Sequence, residues 1–255
     1  MELNYLPKVY VWIPSWTWFP YPDVLINIYS QTCVKSWEVE LYLYNDCIIK
    51  RKPIQHARNE IIDNFLKSWC HYLWFVDDDN PPALDVLENL IEHQKDYVSA
   101  LVPLRHWNKY LLNVFKDWKH LTSYEWLEWP IIEIDNCWTW CVLLSREIAQ
   151  TMFDKFKGNS YQFKIEEFVC KHTEEVEPYT KQDEYIENWR SIYKEQNWEI
   201  VIRSESISED LFFWREAKKL WFKIYADLRS HCYHYKDITK LKVKYENFIN
   251  NNTNT

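Results

Sequence analysis

Apolar strand-like runs that alternate with amphipathic helical segments predict an α/β protein, with a mostly parallel central sheet and helices on both faces. Three observations carry that reading. Runs rich in β-branched and aromatic residues, Lys8–Pro14, Leu73–Val76 and Tyr97–Val102, have the length of buried strands. Between them lie apolar residues at helical spacing, such as Ile61, Ile62, Phe65, Leu66 and Trp69. The run Leu73-Trp74-Phe75-Val76 stops abruptly on Asp77-Asp78-Asp79, and ligands of open α/β sheets gather outside the carboxyl ends of the strands. A chain of 255 residues builds a core without staples. One domain is expected over residues 1–240, with a variable insertion at 155–200. A polar tail, 241–255, is expected to be disordered at its end, Asn250–Thr255.

Taken in order, Lys8–Pro14 reads as the first strand, and the aromatic loop Ser15–Pro20 follows it. A nucleotide often docks at such a first loop, which makes Pro14 a candidate contact. Val39–Tyr44 is expected as the second strand. Gln55–Glu60 opens a helix whose first turn carries Arg58 and Asn59, either facing a diphosphate or simply solvated. The acids Asp77–Asp79 suit a hard cation with its phosphate, or an acidic turn with a helix N-cap. Pro81 is expected near the first position of the next helix, with Leu84, Leu87, Leu90 and Ile91 as its buried stripe. Tyr97–Val102 is a strand, and Trp107–Trp129 is expected as a loop with a short hairpin. Ile131–Asp135 alternates like a strand and runs into Asn136–Glu147, which is expected to cover one edge of the site. Residues 155–200 are charged and aromatic without clear period, as in a solvated helical or loop insertion, or an acceptor-binding lid. Ser208 caps a helix with Glu209 and Asp210 in its first turn and Phe213, Ala217 and Leu220 on its inner face. Trp221 then stands where a left-handed C′ glycine is usual, ahead of a strand at Phe222–Asp227.

The net charge of −8 and a pI near 5.5 argue against a nucleic-acid partner, since phosphate backbones are held by basic surface. No apolar run reaches the length of a transmembrane segment, and the N-terminus lacks the charged and apolar regions of a leader. A cytoplasmic location is expected, with peripheral attachment at the inner membrane as the alternative. Seven Cys at irregular spacings fit reduced thiols, and neither Cys170-Lys171-His172 nor His231-Cys232-Tyr233-His234 is dense enough for zinc. The composition is abnormal in one respect. Ordinary usage would give about 18 glycines in a chain of this length, whereas Gly158 stands alone beside 16 Trp.

Four segments stand in a fixed order: the acidic strand end, the turn and strand Cys137–Arg146, the helix start Glu209-Asp210, and His234. That order resembles the GT-A glycosyltransferases, whose fold is Rossmann-like, and in particular their family 2 group. The resemblance spans roughly residues 8–237. Their DxD motif matches Asp77-Asp78-Asp79, their small-residue turn matches Trp138-Thr139-Trp140, their Glu-Asp pair matches Glu209-Asp210, and their late metal-binding His matches His234. The resemblance implies a metal-dependent transferase that moves a sugar from a nucleotide-diphosphate donor to a hydroxyl of a glycan, lipid-linked or protein acceptor, with inversion. Asp79 and His234 would hold a divalent cation, manganese favoured over magnesium because of the imidazole, and Asp77 would contact the ribose or a metal-bound water. Asp210 would be the base that takes the acceptor proton, with Glu209 in support, and Trp138, Thr139 and Trp140 would form the acceptor-side turn. The alternatives are nucleotidyl transfer on a related fold, or an inactive nucleotide- or sugar-binding module.

The matched turn has Trp where that family has glycine, and so has position 221; Trp12, Trp16 and Trp18 are also expected in a loop where small residues are usual. One systematic cause is simpler than many substitutions. One Gly and 16 Trp together approach the expected glycine content, as they would if UGA codons that specify glycine had been read as Trp. Trp74, inside an aromatic strand, is expected to be genuine. As written, the two indoles are expected to strain the turn and to fill space beside the acids.

Overall fold

The structure, a computed structural model, describes residues 6–15, 20–42, 48–50, 53–104, 111–117, 119–122, 130–162, 164–171, 192–197, 200–235 and 242–243. The loop residues Trp16 and Trp18, the Glu174–Glu177 run and the tail Asn250–Thr255 lie outside them. In chain order come β1 (Lys8–Ser15), α1 (Pro22–Tyr29), α2 (Thr32–Lys35), β2 (Glu40–Tyr42), β3 (Ile48–Lys50), α3 (Ile54–Lys67), β4 (Tyr72–Val76), α4 (Val86–Glu92) and β5 (Tyr97–Leu101). The second half holds β6 (Leu111–Lys116), β7 (Lys119–Thr122), β8 (Ile131–Glu133), β9 (Asn136–Cys137), β10 (Cys141–Ser145), α5 (Arg146–Lys155), β11 (Lys164–Lys171), β12 (Ile192–Asn197), β13 (Ile200–Ile207), α6 (Glu209–Lys219), β14 (Tyr225–His231), β15 (His234–Tyr235) and β16 (Lys242–Val243).

The main sheet runs β2-β1-β4-β10-β5-β14-β8, with β3 continuing the pairing on β1. Strands β1, β2, β3, β4, β5 and β14 share one direction, and β10 and β8 oppose it. The mixed, mainly parallel α/β architecture is therefore as expected. Alternation along each strand sorts the core into two faces. Tyr10, Trp12, Leu73, Phe75, Val142 and Leu144 pack under α3, α5 and α6, and Val9, Val11, Trp74, Val76, Leu143 and Val98 pack under α1 and α4.

Several local expectations change. Trp12 is a core residue of β1, 2 % exposed, and not part of a loop. The helix after the acids starts at Val86, and Pro81 and Pro82 lie in the preceding turn, where Pro82 bridges to Cys232. Leu84 consequently points outward, whereas Leu87, Leu90 and Ile91 are buried. Trp69 lies past the end of α3 and is exposed. The described part of 155–200 is a turn at 156–162 followed by strands, where a solvated helical or loop insertion is expected. After the end of α5, β11 and β12 pair antiparallel with β13 in a separate sheet.

The topology decides where chemistry collects. Because β10 runs against β4, Cys141 pairs with Val76, which sets Trp140 beside Asp77. The ends of β4, β5 and β14 lie on the same edge of the sheet, so Asp77–Asn80, Pro103 and His234 meet there.

Candidate functional site

The acidic turn is pinned by backbone before any side chain acts. The Asp77 N–H donates to the Trp140 carbonyl at 2.8 Å, and the Asn80 N–H donates to the Asp77 carbonyl at 3.1 Å. His234 Nδ1 lies 2.6 Å from the Pro103 carbonyl. A carbonyl only accepts, so Nδ1 carries the proton of this hydrogen bond and Nε2 is turned toward the acids. Nε2 sits 3.6 Å from Asp79 Oδ2, beyond a good hydrogen bond and close enough for both atoms to hold one cation.

Asp77, Asp79, Asn80, Leu104, Trp138, Trp140 and His234 line a cavity of about 420 Å³. Asn80 is only 1 % exposed, and both polar atoms of its amide lack a hydrogen-bond partner among the described residues. Buried amides are nearly always satisfied, so this one is open to a polar partner, water or ligand. Composition and spacing presented Asn80 only as a turn residue. Its orphaned amide could be found only once its burial was visible.

On the other side of Asp77 lies a second cavity of about 330 Å³, lined by Ile54, Arg58, Asp77, Trp138, Trp140, Glu209 and Asp210. Arg58, buried on the inner face of α3, reaches Glu209 at 2.7 Å, forms a very close pair with Asp210, and lies 3.8 Å from Asp77. It also donates to the Thr139 carbonyl at 3.3 Å. Burial pulls the guanidinium down, but Asp210, Glu209 and Asp77 outweigh it and hold Arg58 above its ordinary value. Burial, and then the neighbouring Asp210, raise Glu209 above the ordinary carboxylate range in spite of Arg58. Burial likewise raises Asp77 well above it. The start of α6 that carries Glu209 and Asp210 is local in origin: Ser208 accepts from the Leu211 N–H and caps the helix.

Two expected donor contacts have other uses here. Arg58 is occupied by three carboxylates, and Asn59 exchanges two hydrogen bonds with the Tyr161 backbone, at 2.7 and 2.8 Å. Neither lines the cavity that holds Asp79 and His234. Pro14 is buried in β1, opposite Ile49 of β3, and lines neither cavity. The other expected residues, Asp77, Asp79, His234, Trp138, Trp140, Glu209 and Asp210, do converge on this edge.

The expected strain is not at the turn. Trp138 and Trp140 keep negative φ, and the Trp140 N–H closes a tight turn onto the Trp138 carbonyl at 2.9 Å. Left-handed backbone occurs instead at Trp37, φ 62°, and at Trp221, φ 70°, the latter at the predicted helix end. The indoles of Trp138 and Trp140 stack on each other with centroids 4.9 Å apart, and Trp140 in turn contacts the His234 ring, also at 4.9 Å.

No protein-family model and no curated protein sequence matches this chain. Among solved structures it is similar to A197 from STIV, with 16% identity, a TM-score of 0.49, and coverage of 91% of this chain and 86% of that one. It is also similar to a putative UDP-N-acetylglucosamine pyrophosphorylase from Entamoeba histolytica, with 11% identity, TM-score 0.36, and coverage of 81% and 71%. A third is the 4-diphosphocytidyl-2C-methyl-D-erythritol synthase of Anaerococcus prevotii, with 8% identity, TM-score 0.32, and coverage of 59% and 77%. Among the described residues no helix is long and apolar enough to cross a membrane.

Proposed function

We propose that this chain is a metal-dependent transferase acting on a nucleotide-diphosphate sugar, and that it moves the sugar to an acceptor hydroxyl. The observation that supports this most is the cavity in which Asp79 and His234 face each other across 3.6 Å beside the buried, unsatisfied Asn80. One carboxylate oxygen and one imidazole nitrogen suit manganese better than magnesium, and leave coordination positions for diphosphate oxygens and water. Among the described residues no three acidic, His or Cys groups form a metal cage, so in this proposal the diphosphate and water would have to complete the shell. A cation bound there would neutralise the charge that grows on a leaving diphosphate. The chain's own residues do the rest. Asn80 hydrogen-bonds the phosphate or ribose, Asp77 contacts the donor from the shared wall of the two cavities, and Asp210 accepts the acceptor proton with Glu209 beside it.

Nucleotidyl transfer is the second reading, and one observation favours it. The cation pair and the Glu209–Asp210 pair line different cavities, and attack of one phosphate on another needs the first cavity alone. Product analysis separates the readings: release of a nucleoside diphosphate marks sugar transfer, and release of pyrophosphate marks nucleotidyl transfer. Both require nucleotide binding that depends on the cation. We expect nucleoside diphosphates to raise the melting temperature with manganese, and the rise to vanish in Asp79→Ala and His234→Ala. Undiminished stabilisation in both variants would sink the assignment.

A further inference from the structure

We infer that the Trp138–Trp140 stack is a wall that divides one transfer site into two cavities, and that glycine at both positions would speed sugar transfer. The inference rests on the transferase reading. Both indoles line both cavities, and Asp77 is the third residue common to the two. The cation pair Asp79–His234 lies on one side and the acid pair Glu209–Asp210 on the other. Displacement at a sugar carbon needs the leaving diphosphate and the base on opposite faces of a single substrate, with reacting atoms about 3–3.5 Å apart. Two stacked rings that line both cavities narrow the passage that this sugar would need.

The wall is made of side chains and not of the fold. The Trp138 N–H donates to the Asn113 carbonyl at 3.1 Å, the Trp140 carbonyl accepts from Asp77, and Asn113 Nδ2 reaches the Trp138 carbonyl at 3.4 Å. All of these are backbone groups of the turn, which survive when the indoles are removed. The flanking Thr139 is buried and gives its carbonyl to Arg58. Glycine at 138 and 140 therefore removes two half-buried rings while the bonds that position Asp77 and Arg58 remain.

The test compares the chain as written, W138G/W140G, and a surface control, W37G/W221G, whose residues touch neither cavity. Each is assayed with a panel of nucleotide sugars and manganese for release of nucleoside diphosphate, and with the nucleoside diphosphates alone for thermal stabilisation. We expect W138G/W140G to turn over at least tenfold faster than the chain as written, and W37G/W221G to leave turnover unchanged. Equal turnover in the chain as written and in W138G/W140G, with nucleotide binding intact in both, would overturn the wall while leaving the nucleotide-binding reading in place. Loss of nucleotide binding in every form would refute the functional reading instead. In that case a crystal structure of W138G/W140G decides the inference: one continuous cavity from His234 to Asp210 upholds the wall, and two separate cavities overturn it.

Discussion

Arg58 is the cation on which one half of the site depends, and Arg58→Met tests that dependence. The substitution keeps an apolar stem of similar reach and removes the charge. It leaves Glu209, Asp210 and Asp77, whose side chains are 11%, 7% and 19% exposed, with no cation between them. Breaking a buried pair by deleting one partner costs about 3–5 kcal/mol. The pH dependence follows from the two raised carboxylates, Glu209 and Asp77. An acid held above its unfolded value binds more protons when folded, so its folded state is favoured below the unfolded value and loses stability as pH rises through the folded one. Without Arg58 both groups rise further. The cost should therefore be largest at pH 7 and shrink toward pH 5, where the folded state takes up protons. Urea unfolding of both proteins at the two pH values measures this. Adding Glu209→Gln and Asp210→Asn to Arg58→Met should recover most of the loss at pH 7. A cost below about 1 kcal/mol at pH 7, within the range of an exposed pair, or a cost equal at both pH values, would refute the account of a buried cluster.

Three further outcomes follow from single residues. His231, pulled down to about 4 by burial, binds fewer protons folded than unfolded. Its contribution is present above its unfolded value near 6.5 and is lost as pH falls to 4, so His231→Gln should remove about 3 kcal/mol of acid sensitivity in that window, read from urea midpoints. Asn113 is fully buried, accepts from the Val102 N–H at 2.9 Å, and donates toward Ser99, Ala100 and Trp138. Asn113→Ala should cost about 1–3 kcal/mol, because the Val102 N–H loses its acceptor, and should also weaken nucleotide binding, since the turn below the acids loosens. Trp221→Gly and Trp37→Gly should each gain about 1 kcal/mol, or about 2–4 °C in melting temperature, by calorimetry.

What the sequence disclosed follows the range of the interaction responsible. Period-2 burial in β1, β4 and β5 and the Ser208 cap of α6 are local, and they were readable. The start of α4 was not, because Pro81 at a first helical position is as good locally as Pro81 in a turn. The bridge from Pro82 to Cys232 and the Ala83 N–H bond to the His231 carbonyl, both tertiary, choose the turn. The strands of 155–200 are not legible because their sequence lacks a clean apolar–polar alternation, as in Lys164-Ile165-Glu166-Glu167. Its place in a first turn suits Arg58 to a diphosphate or to solvent. Its ion-pair partners stand at the start of α6 and just past the end of β4, about 150 residues and 20 residues away in sequence, and no local pattern announces them.

The tryptophans can be sorted on the same physical grounds, which sharpens the question of their codons. Trp12 and Trp74 are 2 % and 0 % exposed inside β1 and β4, where glycine would leave a cavity costing about 3–5 kcal/mol. Their codons are expected to be UGG. Trp37 and Trp221 show the opposite pattern: 86% and 93% exposed, with φ of 62° and 70°. An indole there gains no burial, and a Cβ in that conformation costs about 1–2 kcal/mol, so the two positions want glycine for backbone reasons alone. Trp138 and Trp140 want it for space and not for φ. UGA codons, read as glycine in the source lineage, are expected at 37, 138, 140 and 221, and the gene decides. UGG at Trp37 and Trp221 would refute the codon explanation, since those two rest on conformation and on no assumption about function. UGG at 138 and 140 alone would mean that the wall is native, and the proposed sugar transfer would then be slow in the natural protein.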